Sequence, residues 1–283
     1  MTHVTIATAT TLPQADPDEP GLVAALAARG AEVAVAAWDD STSRFDQADL
    51  VVIRSTWNYL RDREGFCAWA ERTAASTRLL NPADVVRANT DKRYLREVEA
   101  SGLPVVPSVF ASRGDDAEAA LRACEERGWG ELVIKPSVSA GSFATRRFGP
   151  AQRAEAAAFL RSMLAERDMM VQPYQASVDG WGERSLVWID GELTHATRKS
   201  PRFAGQPADI SAPVAIEADE RALAERALAS LRHRLLYARV DLARDERGEP
   251  RVMELELTEP YLMLDRNPPA LHRLADAIMR RAR

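Results

Sequence analysis

The sequence predicts a parallel α/β domain followed by mixed α+β structure. Over about residues 1 to 80, apolar runs alternate with helical patterns, which is typical of a parallel sheet covered by helices. The run at 50–54 is almost wholly apolar and therefore fits a strand buried on both faces. Further along, several runs alternate apolar and polar residues, which favours strands with one face exposed.

Each element follows from a local pattern of apolar residues bounded by helix caps, glycines or prolines. In the first unit we predict strands at 4–9, 32–37 and 50–54 and helices at 19–29 and 66–73. In the remainder we predict helices at 90–100, 117–127, 151–165, 218–235 and 269–281. The strands predicted there are 132–135, 143–148, 169–172, 186–189 and 192–197.

Composition excludes several broad classes of protein. The net charge of -5 and the pI near 5.6 argue against general affinity for nucleic acid or an anionic membrane. Cys67 and Cys124 lie far apart without metal-ligand spacing, which fits a reduced compartment. The first 28 residues hold no Lys or Arg, unlike a signal peptide, and no apolar run is long enough to span a membrane. We therefore expect a cytoplasmic protein.

Several familiar catalytic motifs are absent from the sequence. There is no G-x-x-x-x-G-K-[ST] phosphate loop, no G-x-G-x-x-G fingerprint and no G-x-S-x-G elbow. The four histidines lack zinc-site spacing, and no base is visible for a Ser or Cys nucleophile. A dinucleotide-dependent oxidoreductase stays open as an alternative but is disfavoured by the missing glycine fingerprint.

The most informative pattern is an acidic hairpin over residues 237–243 and 251–258. Alternation places one set of its residues against the core: Val240, Leu242, Met253, Leu255 and Leu257. It places the other set on the opposite face: Arg239, Asp241, Glu254 and Glu256. A two-residue turn at Arg247 and Gly248 would set Asp241 opposite Glu254 and Arg239 opposite Glu256.

Three carboxylates on one patch repel one another, so a hard divalent cation is the favoured explanation for them. The alternative is structural: Arg239 bridges Glu256, and the other acids are solvated on an outward face.

Two lysines and one loop suit a nucleotide. Lys135 ends an apolar strand directly before a loop of small residues at 137–142, whose backbone N–H groups could approach phosphate oxygens. A plain hairpin with a solvated Lys135 is the alternative. Lys92 lies in the first helical turn, where the helix dipole disfavours a cation and a phosphate contact would compensate.

A hinge follows the predicted strand at 169–172. Pro173 leaves backbone groups between Gln172 and Tyr174 free to read an adenine edge, although strands often simply end at proline. Together these features indicate a nucleotide site.

The order of these motifs resembles that of the ATP-grasp superfamily, in its glutathione-synthetase-like and ribosomal-S6-modification-like branch. The matching motifs are Asn-Thr-Asp-Lys at 89–92, Val-Ile-Lys-Pro at 133–136, Val-Gln-Pro-Tyr at 171–174, Gly-Glu-Arg at 182–184, Arg-Val-Asp at 239–241 and Met-Glu-Leu-Glu at 253–256. Residues 53–59 and 259–264 resemble the subgroup that contains the O-ureidoserine cyclo-ligase of cycloserine biosynthesis. The resemblance extends over most of the chain.

The resemblance implies an ATP-grasp fold with an N-terminal Rossmann-like domain at 1–88, a central subdomain at 89–175 and a C-terminal subdomain at 176–283. ATP would bind between the last two. The implied ATP-binding residues are Lys92, Lys135, Ser139, Ala140, Gly141, Ser142, Gln172, Pro173, Tyr174 and Glu183. The implied Mg²⁺ ligands are Asp241, Glu254 and Glu256.

The resemblance also implies residues that act on the substrate. Arg239 would touch the transferred phosphate, with Lys199 and Arg202 as further catalytic candidates. The candidates for binding the substrate are Arg54, Ser55 and Arg198. The alternative for each of four cations is an ordinary position on the protein surface: Arg54, Arg198, Lys199 and Arg202.

Two departures from the superfamily pattern affect these assignments. The final metal pair is usually Glu-x-Asn, whereas this chain has Glu254-Leu-Glu256. The stretch at 198–206 also lacks the Arg-x-Asn and paired glycines that often line the acceptor pocket.

The expected activity is that of a Mg-ATP-dependent carboxylate–amine ligase, which activates a small amino-acid carboxylate as an acylphosphate in the manner of the cycloserine-forming cyclo-ligase. The alternatives are a ligase that joins two amino acids or peptides, and an ATP-binding regulator without catalysis. The expected partner is a small amino-acid-like substrate, with no nucleic acid and no membrane, in a homodimer or homotetramer.

Overall fold

A computed structural model describes residues 1–201, 203 and 209–282. Within this part of the chain the strands form three four-stranded sheets, one in each of the three predicted segments. The boundaries predicted between the segments stay a prediction. No helix in the described part is both long and apolar enough to cross a lipid bilayer.

The N-terminal sheet is parallel, with strand order β2-β1-β3-β4. Its strands are β1 (Thr2–Thr8), β2 (Ala31–Ala37), β3 (Leu50–Ile53) and β4 (Arg78–Leu80). The helices of this unit are α1 (Glu19–Ala27), α2 (Arg63–Ser76) and α3 (Ala83–Asn89). Strand β3 is buried along its whole length, as its apolar sequence predicts. The short β4 and α3 were not predicted, because so few residues show no period.

The central sheet is antiparallel, with order β5-β8-β6-β7. This unit contains α4 (Leu95–Ala100), β5 (Val109–Ala111), α5 (Ala117–Glu125), β6 (Leu132–Pro136), β7 (Arg146–Phe148), α6 (Arg153–Leu164) and β8 (Met169–Pro173). Ile134 and Val171 on one face pack with residues of α5 and α6. Because side chains alternate along a strand, Lys135 and Gln172 lie on the opposite face.

The C-terminal sheet is antiparallel, with order β10-β9-β11-β12. This unit contains α7 (Ser177–Gly180), β9 (Glu183–Ile189), β10 (Glu192–Lys199), α8 (Ala218–Leu228), β11 (Tyr237–Arg244), β12 (Pro250–Glu256) and α9 (Pro268–Arg281). One face packs against α8 through Leu186, Val240 and Leu223. Helix α9 packs against α1, so the chain end returns to the N-terminal domain.

Three predicted elements differ in length from the structure. The helix expected at 218–235 ends at Leu228, and the helix expected at 90–100 opens with a 3₁₀ turn before α4. The strand expected at 143–148 is shortened to β7 because Ala144 has a positive φ of 51°, which does not fit an extended strand.

The acidic hairpin has the predicted register at its functional end. Asp241 lies opposite Glu254, and Arg239 lies opposite Glu256. The predicted turn is wrong, however, because Gly248 N–H donates to the Asp245 carbonyl and closes a longer loop. This loop sets Arg244 opposite Pro250 rather than Arg251, and a β-bulge between Asp241 and Leu242 removes the one-residue shift.

The bulge also changes which side chain of β12 faces the core. Val252 is fully buried, while Met253 is only half-buried. The prediction of a core position for Met253 is therefore wrong, because the bulge interrupts the alternation on which it depended.

The outer edge of β12 is covered by polar side chains. The Tyr94 hydroxyl donates to the Leu255 carbonyl (2.9 Å) and accepts from the Leu255 N–H (2.7 Å). Asn89 donates to the Leu255 carbonyl (2.8 Å) and accepts from the Leu257 N–H (2.8 Å). These bonds satisfy an edge that would otherwise be unpaired, and they fix the acidic strand to the central subdomain.

We expect Tyr94→Phe to lower the free energy of unfolding by about 1–3 kcal/mol, because the Leu255 N–H loses its partner. Urea denaturation with linear extrapolation measures the change. Tyr261→Phe is the matched control, since it removes a hydroxyl whose bond to Asp265 is exposed to water. The control should stay within about 0.5 kcal/mol of wild type. Equal losses in both variants would contradict the role assigned to Tyr94.

Candidate active site

The face of the C-terminal sheet opposite α8 carries a dense set of charged and hydroxyl side chains. We call it the polar face, and it consists of Glu183, Ser185, Lys199, Arg239, Asp241, Glu254 and Glu256. The strand register places them side by side, because directly opposite residues of an antiparallel pair share a face. Ser185, Arg239 and Asp241 are buried and the other four are partly buried, so their charges require partners.

Asp241 is the centre of the polar face. Arg239 donates to it through Nε (2.9 Å) and Nη2 (2.8 Å), Lys199 through Nζ (2.9 Å) and Ser185 through Oγ (2.6 Å). Burial would raise the pKa of Asp241, but Arg239 and Lys199 outweigh it and hold that pKa well below the usual range. Lys199 also pairs with Glu183. Asp241 is therefore ionised and fully engaged.

Glu254 connects the polar face to the central subdomain. Its carboxylate lies 3.0 Å from Lys92 Nζ, which also donates to the Ser139 carbonyl (2.8 Å) and Ser139 Oγ (3.2 Å). Burial opposes ionisation of Glu254, but Lys92 and Lys135 outweigh it and lower its pKa. Lys92 thus links an acidic strand to the small-residue loop, and its phosphate role stays a prediction.

Glu256 and Glu259 hold their protons more tightly than ordinary carboxylic acids. Burial raises the pKa of Glu256 to about 7 despite its contact with Arg239. Burial and the neighbouring Glu256 raise the pKa of Glu259 to about 8, with the Tyr59 hydroxyl as a hydrogen-bond partner. Glu256 and Glu259 are therefore two carboxyl groups that titrate near neutral pH.

Lys135 differs from the other lysines because its amine has no partner. The residue is 9% exposed, and within residues 1–201, 203 and 209–282 its side chain makes no hydrogen bond or ion pair. Burial lowers its pKa, while the more distant Glu254 opposes that shift. A buried cation without a direct ion-pair partner is the complement of an anionic ligand.

The loop after Lys135 and the hinge after β8 border the same face of the central sheet. In the loop, Gly141 and Ser142 have positive φ angles of 60° and 61°, and Ala140 is half-buried against the N-terminal core. At the hinge, Gln172 donates to Ser108 Oγ (3.0 Å), and the Tyr174 ring lies 3.5 Å from the Arg147 guanidinium. Pro173 ends β8 and donates no backbone hydrogen bond.

The structure places three of the predicted substrate residues away from the polar face. Arg54 has no exposed side-chain surface, because it pairs with Asp18 (3.2 Å) and lies 5.3 Å from the Tyr237 ring. Ser55 is buried against Thr8 (2.9 Å).

Arg198 lies on the opposite face of β10 from Lys199, since neighbouring residues alternate, and it donates to the Gly180 carbonyl (3.1 Å). The structure therefore does not bring Arg54, Ser55 and Arg198 together with the polar face, and their contacts with a substrate stay predictions. Arg202 lies outside the described residues.

The sequence reasoning missed Ser185 and Glu259, and it overlooked one available signal. The chain contains 34 arginines but only three lysines, and all three lysines (Lys92, Lys135 and Lys199) lie in this cluster. In a chain that otherwise uses arginine, each retained lysine marks a place where a compact point charge is needed.

No group of three His, Cys, Asp or Glu in the described part of the chain is gathered tightly enough to hold a metal by itself. The carboxylates predicted to bind Mg²⁺ form ion pairs with lysine and arginine side chains instead. Mg²⁺ is commonly held by one or two carboxylates together with phosphate oxygens rather than by a cage of protein ligands. The donor set is therefore compatible with a metal that arrives with a nucleotide.

Comparison with solved structures defines the class of protein to which the chain belongs. The crystal structure of D-cycloserine synthetase DcsG is 32% identical and covers 99% of this chain and 100% of its own, with a TM-score of 0.90. A D-alanine–D-alanine ligase from Bacillus anthracis complexed with ATP shares the fold, with a TM-score of 0.73 over 100% of this chain and 97% of its own at 14% identity. The protein is an ATP-grasp ligase.

Sequence comparison identifies the family within this class of proteins. The cycloserine biosynthesis protein DcsG of Streptomyces lavendulae is 34% identical over 284 residues, which cover 94% of each chain. The model of the D-cycloserine synthetase DcsG N-terminal domain matches residues 4–81. The chain belongs to the DcsG family. The predicted ATP-grasp fold, the C–N ligase class and the cyclo-ligase subgroup are confirmed.

A pH prediction follows from Glu256. Its pKa is about 7 in the fold against an ordinary 4.5, so the folded state binds more protons between these values. The stability from this group is complete below pH 4.5 and is lost as the pH rises through about 7. The difference in free energy of unfolding between wild type and Glu256→Gln should therefore fall across this window.

Urea denaturation of both proteins between pH 4 and 8, without nucleotide or magnesium, measures this difference. A difference that is constant with pH, or that rises with pH, would contradict the assignment.

Proposed function

We propose that this chain binds Mg-ATP between its central and C-terminal subdomains and uses it to close a cycloserine-type ring on a small amino-acid substrate. The observation that carries the nucleotide site is Lys135, a buried cation that has no partner in the described part of the chain. It lies directly before the small-residue loop and close enough to Glu254 for the two charges to interact.

The remaining parts of a nucleotide site surround Lys135. Lys92 and residues 139–142 would cover the phosphates with a cation and backbone N–H groups. Gln172, Pro173 and Tyr174 would border the adenine, with Glu183 beside them. Asp241 and Glu254 would share a magnesium ion with the phosphates, and Glu256 would join them or stay with Arg239. Mg-ATP supplies the phosphoryl group that makes the substrate carboxyl reactive towards an amine.

The residues of the polar face would position and neutralise the reacting groups. Arg239 is held on one side by Asp241 and on another by the Tyr261 carbonyl (3.1 Å), so its guanidinium is fixed before any ligand arrives. Lys199 presents a second cation 2.9 Å from the same carboxylate. Such preorganised charge stabilises a transferred phosphoryl group without a covalent nucleophile, which agrees with the absence of a catalytic triad.

The family relationship favours O-ureidoserine as the substrate, because DcsG is described as a cycloserine synthetase. Glu256 and Glu259, whose pKa values lie near neutrality, could exchange protons with an attacking amine. The cytoplasm and a homodimer or homotetramer remain part of the proposal.

We expect Lys135→Met to raise the Kd of Mg-ADP about 10- to 100-fold, because a charge-assisted hydrogen bond to phosphate is lost. The free energy of unfolding without ligand should not fall, since methionine replaces a buried unpaired amine. Calorimetric titration and urea denaturation measure both quantities. Arg122→Met on α5 is the control, because its charge is exposed and should affect neither. Unchanged Mg-ADP affinity in Lys135→Met would refute the phosphate role.

ADP release and product mass test the reaction. With either enantiomer of O-ureidoserine, the cyclo-ligase should release ADP and form one product smaller than the substrate. A product equal to two joined amino acids, less water, would indicate intermolecular ligation instead. Binding of Mg-ATP without ADP release from any amino acid would indicate a regulator.

A further inference from the structure

Residues 258–264 form an irregular segment between the N-terminal domain and the polar face. The segment has no strand or helix before a 3₁₀ turn that begins at Leu264. It is nevertheless well buried, with Thr258, Leu262 and Met263 exposed by 1% or less. An irregular backbone in such a position requires fixed hydrogen-bond partners.

The N-terminal domain supplies those partners through one buried ion pair. Asp18 accepts from the Leu262 N–H (2.9 Å) and the Leu264 N–H (2.7 Å). Arg54 donates to the Pro260 carbonyl (2.9 Å) through the same nitrogen that contacts Asp18 (3.2 Å). Both side chains have no exposed surface. The pair therefore holds the segment on both sides of Tyr261.

Two carbonyl groups of the same segment contact side chains of the C-terminal sheet, and one of these side chains belongs to the polar face. Arg239 Nη1 donates to the Tyr261 carbonyl (3.1 Å), and His195 Nε2 lies 3.0 Å from the Leu262 carbonyl. Nε and Nη2 of Arg239 bond Asp241. The Tyr261 carbonyl is thus the contact that fixes the remaining nitrogen of the guanidinium.

We propose that Asp18 and Arg54 are positioning residues for Arg239, which they place by fixing the Tyr261 carbonyl. The proposal rests on the proposed role of Arg239 beside the transferred phosphate. Neither residue reaches the polar face, so both act through the 258–264 segment. A displacement of about 1 Å at a reacting group can lower the rate about 100-fold.

Two variants separate positioning from folding. The double variant Asp18→Asn/Arg54→Met removes both charges together, because removal of one partner alone leaves an uncompensated buried charge. Arg54→Lys keeps the charge, but its side chain is one atom shorter, so the amine does not reproduce the position of Nη2 that contacts Pro260 and Asp18 together. Arg122→Lys is the control, since it makes the same Arg-to-Lys exchange at an exposed arginine of α5 outside the site.

Steady-state kinetics and amide hydrogen exchange of residues 258–264 are measured on each protein. Both variants should lower kcat about 10- to 100-fold while the KM for ATP changes less than about twofold, because the nucleotide contacts lie elsewhere. Exchange over 258–264 should become faster in both. Arg122→Lys should match wild type in every measurement.

Several results would overturn the proposal: unchanged kcat with faster exchange, unchanged exchange, or a loss shared equally by kcat and ATP affinity. If the double variant does not fold, Arg54→Lys decides, and wild-type kcat and exchange in that variant overturn the positioning role.

Wild-type ADP release is measured first and tests the proposed function separately. Without turnover, the proposed function fails. The positioning role is then judged on exchange over 258–264 and 237–244, and unchanged protection in both segments refutes it.

Discussion

The architecture of the site depends on one constraint: charges on the buried polar face must be neutralised. In the described chain Asp241 is neutralised by Arg239 and Lys199, and Glu254 by Lys92. Lys135 alone among the lysines has no such partner there. Binding of a phosphate chain with magnesium would exchange partners rather than create new buried charge, since the cation takes carboxylates and the phosphates take lysines. A phosphate oxygen would give Lys135 the direct ion-pair partner that it lacks in the described chain.

The sequence predicts the fold well where burial repeats regularly and poorly where one residue interrupts the repeat. Strand β3 was evident because all its residues are apolar. The register of Asp241 with Glu254 was predicted correctly only because two deviations cancel: the loop sets Arg244 opposite Pro250 rather than Arg251, and a bulge removes this one-residue offset. An apolar residue such as Met253 can lie on either face of a strand, so the alternation of apolar and polar residues does not predict the bulge.

The polar face was predictable from alternation within β11 and β12, but isolated arginines were not. Arg54 follows an apolar strand and looks like a group at the ligand-binding edge of a parallel sheet. Its actual partner, Asp18, is 36 residues away in the sequence, and nothing local reveals the pair. Arg198 and Lys199, in contrast, are adjacent on a strand and could not both face one site. Strand geometry alone would have excluded one of them.

The choice of lysine at the site has a physical reason. An arginine brings five N–H donors in a rigid fork, and each needs a partner when buried. Arg54 illustrates the cost, because its Nε and Nη1 are buried without a partner in the described structure although Nη2 is well bonded. A lysine at position 135 brings one compact charge whose pKa burial lowers, so the free protein tolerates it better. Lysine therefore suits a position that must remain without a counter-ion until an anionic ligand binds, whereas arginine suits Arg239, whose three nitrogens are all bonded in advance.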